Sequence, residues 1–79
     1  MGNVHKVEVV VHVDDALNED QRSDLVSHLR DCEGVEDARF TERRNHLLLI
    51  DYDRERLRAQ DVLGYVRANH VGAELVGPI

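Results

Sequence analysis

Cysteine occurs once in the 79-residue chain, at Cys32, so no disulfide can close within it. Tryptophan is absent, phenylalanine occurs once and tyrosine twice. The core must therefore be aliphatic, and a sheet face of stacked aromatics of the kind that holds single-stranded nucleic acid cannot be built. One proline and five glycines are too few for a linker or a disordered segment. Ten basic residues against sixteen acidic ones leave a net charge of −6, which repels phosphate backbones and anionic membrane surfaces. No apolar run approaches the roughly 20 residues of a membrane span. The opening "MGNVHKVEVV" is too short in its apolar part, and too broken by charge, for a signal peptide. Gly-rich phosphate loops are missing, and so is a nucleophile beside a placed base. The expectation is one small cytoplasmic domain over residues 1–79, not an enzyme, with no nucleic-acid or membrane partner and no resident cofactor.

What the chain does have is valine in alternation. In "VHKVEVVVHV", residues 4–13, Val7, Val9, Val11 and Val13 fall on one face and Lys6, Glu8, Val10 and His12 on the other, the pattern of a half-buried strand. Asn18 and Gln21 have capping-box spacing for a following helix. Glu19 and Asp20 then occupy its first turn, where the helix dipole favours acids. Leu25, Leu29 and Cys32 recur at helical spacing, and Gly34 is a stop signal. Residues 35–41 predict a second strand with Ala38 and Phe40 inward, "ERRN" a hairpin turn, and 46–52 a third strand with Leu48, Ile50 and Tyr52 inward. A second helix is predicted over 59–69 with Ala59, Val62, Leu63 and Val66 as its apolar stripe, ended by Asn69 in a left-handed conformation. Residues 71–76 predict a last strand with Ala73 and Leu75 inward. The order βαββαβ implies an α+β, ferredoxin-like sandwich: a four-stranded antiparallel sheet, order 4-1-3-2, with two helices on one face.

"HLRDCEGVEDARF", "LLIDYD" and "VLGYVRANHVGAEL" together resemble the heavy-metal-associated domains of copper chaperones and metal-transporting ATPases, over nearly the whole chain. In that family the first loop carries Met-x-Cys-x-x-Cys, whose two thiolates bind a soft cation such as Cu(I). Aligned on Gly34-Val35, the resemblance puts Asn18 and Gln21 at the two cysteine positions and Ala16 at the methionine. Amide oxygens are poor ligands for a soft cation, so the motif is degenerate here. Cys32 stands far along the helix, where the residue pattern makes it a small core hydrophobe.

Two surfaces remain as candidates. His12 ends the first strand on the face away from the helices. His70, placed at the start of the last strand with the same parity, falls near it, with Asp14 and Asp15 close in sequence. Two imidazoles and a carboxylate suit Zn²⁺, Ni²⁺ or Cu²⁺, so a divalent metal is the alternative ligand. The acidic residues Asp14, Asp15, Glu19, Asp20 and Asp24 do not follow an EF-hand pattern. They read as dipole complementation, and the Asp51/Asp53 pair as strand-end punctuation. On the open sheet face Val10, Leu47, Leu49 and Val76 share outward parity and suggest an apolar patch for a protein partner or a homodimer. The functional expectation is a small binding or adaptor domain, with divalent-metal binding and small-molecule sensing as alternatives.

Overall fold

The computed structural model describes residues 6–41 and 46–78. Its elements are β1 (Lys6–Val13), α1 (Glu19–Arg30), β2 (Val35–Phe40), β3 (Leu47–Asp53), α2 (Ala59–Arg67) and β4 (Ala73–Pro78). The sheet runs β2-β3-β1-β4 with every neighbouring pair antiparallel, which is the expected ferredoxin-like topology. The hairpin turn predicted at 42–45 and the first residues of the predicted valine strand lie outside the described residues.

The valine alternation of β1 sets the layers. Val9, Val11 and Val13 are at most 2 % exposed. They meet Leu48, Ile50 and Tyr52 of β3 and Ala38 of β2 on the helix side of the sheet. Leu25 and Leu29 of α1 and Val62 and Val66 of α2 close that core from above. Phe40 and Leu75, expected inward, pack against it while partly exposed.

Local chemistry fixes the ends of α1. The Asn18 carboxamide oxygen accepts from the Gln21 amide at 2.8 Å, and the Asn18 amide donates to the Gln21 side chain at 2.9 Å, completing the capping box. At the other end Gly34 turns the chain into β2 with φ +91°. A Cβ there would meet Leu57 Cγ at 2.8 Å, so both the backbone conformation and the packing require glycine.

Three details differ from the sequence reading. The residue in the left-handed region after α2 is His70, φ 62°, not Asn69. Asn69 instead turns its amide nitrogen back to the Tyr65 carbonyl at 2.9 Å. The last strand begins at Ala73 rather than 71, because the chain is still reversing at His70–Gly72; His70 therefore precedes the strand and does not share its open face. Finally, β4 carries a bulge. Pairing passes from Val11–Leu75 to Val10–Gly77 and leaves Val76 as the extra residue.

Leu29 and Ile50 are both 0 % exposed. Replacing either with alanine should cost roughly 2–5 kcal/mol in urea denaturation. A near-neutral effect at both sites would contradict the packing described.

Candidate functional site

The loop between β1 and α1 is held by hydrogen bonds at both sides. The Asp14 amide donates to the Gly72 carbonyl at 2.7 Å, and the Gly72 amide returns a bond to the Asp15 carboxylate at 2.8 Å. Arg22 donates to the Leu17 carbonyl at 2.7 Å. Asn18 and Gln21 are committed to capping. Apart from the Asp14 carboxylate, the loop spends these polar groups on its own backbone and on the turn before β4.

The four residues proposed for a metal are not drawn to one point. Asp15 faces Gly72, and His70 lies beside α1. His12 and Asp14 do meet, His12 Nδ1 to Asp14 Oδ1 at 2.9 Å. Among the described residues no group of three or more His, Cys, Asp or Glu side chains could hold a metal ion together. The partner that sequence parity missed is His46, in the turn before β3. Its ring stacks on that of His12 with centroids 6.0 Å apart and planes 21° from parallel. Its Nδ1 lies 3.2 Å from the Val13 carbonyl. The turn has no periodicity, so no sequence pattern marks this contact; the antiparallel pairing that brings the Val13 amide to the His46 carbonyl creates it.

His70 instead joins a cleft of about 330 Å³ between α1 and the turn after α2, lined by Leu17, Asp24, Leu25, His28, Asn69 and Val71 among others. His28 Nδ1 and the Asn69 carboxamide meet across it at 2.8 Å.

The face of the sheet away from the helices divides in two. One half is ionic. Arg39 on β2 reaches Glu8 at 2.8 Å and both Asp37 and Asp51 at 3.4 Å; Lys6 reaches Asp51 at 3.5 Å; Arg30 of α1 reaches Asp37 at 3.1 Å. Asp51, 7 % exposed, is the centre of this network rather than strand-end punctuation. Asp53 is punctuation, accepting from the Glu55 amide at 2.9 Å. Asp37 is partly desolvated, which works against its charge. Donation from the Ala38 amide, together with the charges of Arg30 and Arg39, outweighs this and holds the carboxyl below its ordinary value.

The other half is apolar and smaller than expected. Val10 is buried, 8 % exposed, between Leu49 of β3 and the β4 bulge. Leu47 and Leu49 are half-buried, and Val76 is 62 % exposed. Cys32, expected as a small core hydrophobe, is only partly buried and lies outside the core cluster; burial and the neighbouring Asp31 charge push its thiol up, and its sulfur lies 3.4 Å from the His28 carbonyl. No helix among the described residues is long and apolar enough to cross a membrane.

No family model and no curated protein sequence matches the chain. Solved structures do match it. The copper-binding domain of HMA7, a P-type ATPase, superposes with a TM-score of 0.81 at 14 % identity, covering 91 % of this chain and 96 % of that one. Oxidised MerP from Ralstonia metallidurans gives 0.78 at 11 % identity, covering 90 % and 97 %. The first domain of the human copper chaperone for SOD1, in its Cu(I)-loaded form, gives 0.75 at 16 % identity, covering 94 % and 97 %. At such identities the likeness is one of fold. The chain has the heavy-metal-associated, ferredoxin-like fold, and its single cysteine leaves it without a Cys-x-x-Cys pair.

Two outcomes follow from this geometry. Asn18→Ala should destabilise the domain by about 0.5–2 kcal/mol, the usual loss for a helix cap, read from the urea midpoint. Because Asp37 is held below its ordinary value, it adds stability above about pH 3.9, the usual aspartate value, which is lost as pH falls through the depressed one. In Asp37→Asn the melting temperature should fall less steeply over that acid range than in the wild type. Equal slopes would mean the Asp37 network contributes nothing.

Proposed function

We propose that this chain is a non-catalytic binding module that docks a protein partner through the apolar half of its open sheet face. The observation that carries the reading is the grouping of half-buried Leu47 and Leu49 with Val76, which is 62 % exposed, on the side of the sheet that no helix covers. Apolar side chains placed together beside a polar rim mark contact surfaces more often than scattered ones do. The fold supports the same class: a structure that shares it belongs to a copper chaperone named for the protein it serves. The thiolates that would make this chain a soft-metal carrier are missing, so the contact surface is what remains to act on.

Charge selects the partner. Two copies of a domain carrying −6 repel each other. A different protein, with an apolar contact and a basic rim, gains both burial and electrostatic steering. Leu49 sits in the middle of the face, paired with Val10 on one side and Arg39 on the other. A carboxylate there would have to be desolvated on docking.

The test compares the wild type with Leu49→Glu and with Gln60→Glu, an exposed change on α2. The partner should be retained by the wild type and by Gln60→Glu. Leu49→Glu, still folding cooperatively, should bind the purified partner at least about tenfold more weakly, or about 1.4 kcal/mol. Unchanged binding by Leu49→Glu would sink the proposal. So would a dimer in sedimentation equilibrium that Leu49→Glu disperses, which would assign the face to self-association.

A further inference from the structure

We infer that the cleft between α1 and the turn after α2 binds a short aliphatic primary amine, its ammonium held by Asp24 and its chain laid on an apolar floor.

The floor comes from the core side of the walls. Leu25 and Val71 are buried, and Leu17 is half-buried beside them. The rim is polar. Asp24 and His28 are four residues apart on α1, so they share its cleft side. Asn69 and His70 supply the opposite wall. A volume of about 330 Å³ lies at the small end of the range for ligand pockets. The turn also holds His70 in the left-handed region, φ 62°, and backbone held away from its usual wells gathers at ligand-binding segments.

Hydrogen bonding within the rim decides which groups are left for a ligand. The Asn69 amide nitrogen donates to the Tyr65 carbonyl at 2.9 Å, so its oxygen is the atom turned to His28, at 2.8 Å. That oxygen only accepts. His28 Nδ1 therefore carries the proton, and in the neutral ring Nε2 keeps a lone pair. Gln21 is committed to the helix cap. The Asp24 carboxylate has no hydrogen bond or ion pair among the described residues. Both groups left over, a carboxylate and an imidazole lone pair, call for a donor.

Charge narrows the class. Among the lining residues there is no Lys or Arg, and the chain carries −6, so an anion is repelled and a cation drawn in. No Phe, Tyr or Trp lines the cleft either, which leaves no aromatic cage for a quaternary ammonium. A primary ammonium brings three N–H donors. Each half of the contact is weak alone: an exposed ion pair contributes little, and so does a chain of a few methylenes. The cleft brings the two together, and an occupant of so few atoms binds with a Kd of about a millimolar. None of these residues belongs to the open sheet face, so the site stands independently of the docking surface.

The test titrates n-pentylamine into the full-length chain at about pH 8, where an ordinary imidazole is neutral and an alkylamine, like a lysine, is charged. Backbone amide shifts are followed by NMR. Saturable shifts should gather at residues 17–28 and 69–71. Asp24→Asn, with an unchanged circular-dichroism spectrum, should weaken binding about threefold or more. Glu36→Gln, the same change of charge at an exposed residue of β2, should leave it unchanged. 1-Pentanol, which keeps the chain and drops the charge, and tetramethylammonium, which keeps the charge and drops the donors, should each bind more weakly than n-pentylamine by a similar factor. Shifts that rise without saturating, wild-type affinity in Asp24→Asn, an equal loss in Glu36→Gln, or equal binding of 1-pentanol or tetramethylammonium would overturn the assignment.

Discussion

The structure depends on one strand being two-faced. β1 lies between β3 and β4, so it is covered along both edges, and its Val9, Val11 and Val13 side chains fill the middle of the core. Strand side chains alternate, so shifting β1 by one residue would turn Glu8 and His12 inward and the valines outward. Burying a carboxylate and an imidazole without partners costs far more than any turn or cap could offset. The register is therefore fixed by β1, and everything else is placed relative to it. α1 and α2 cover the side the valines choose. Glu8 meets Arg39 because it must point the other way, and His12 reaches the sheet end where His46 waits.

Much of this was legible from residue order. The alternation in β1, the apolar positions of β3 and the Asn18–Gln21 spacing each carry a period or a fixed offset that the folded chain keeps. What could not be read depends on contacts without a period. The left-handed residue is His70 although asparagine adopts that conformation more readily, because Asn69 is occupied by its bond to Tyr65. The bulge at Val76 slips the last strand, and nothing in "ELVGP" announces it. The His12–His46 contact and the role of Asp51 both arise between strands. Parity placed His12 and Asp51 on the correct face but could not say which neighbour each would meet. It paired His12 with His70, and the turn before β4 carries His70 elsewhere.

The first loop shows the fold of copper-binding domains held without a thiolate pair. Two carboxamides, those of Asn18 and Gln21, stand at the start of α1. The amides serve the helix itself: each closes a bond to the other's backbone, and the loop before them is tied to Gly72 from both directions. Ligation and capping compete for the same few atoms, and this sequence has settled on capping.

The bond between Ala38 and the Asp37 carboxylate reaches beyond acid–base balance. Thr41 donates to the Leu47 carbonyl, and amides along an antiparallel strand alternate in direction. On β2, therefore, the Arg39 amide turns toward β3 while that of Ala38 points off the edge of the sheet. An unused amide there would be a template for another chain to zip onto. Asp37 plugs it with its own oxygen and adds a negative charge at the same spot. Strand addition at this point of the β2 edge would first have to displace the Asp37 carboxylate from the Ala38 amide.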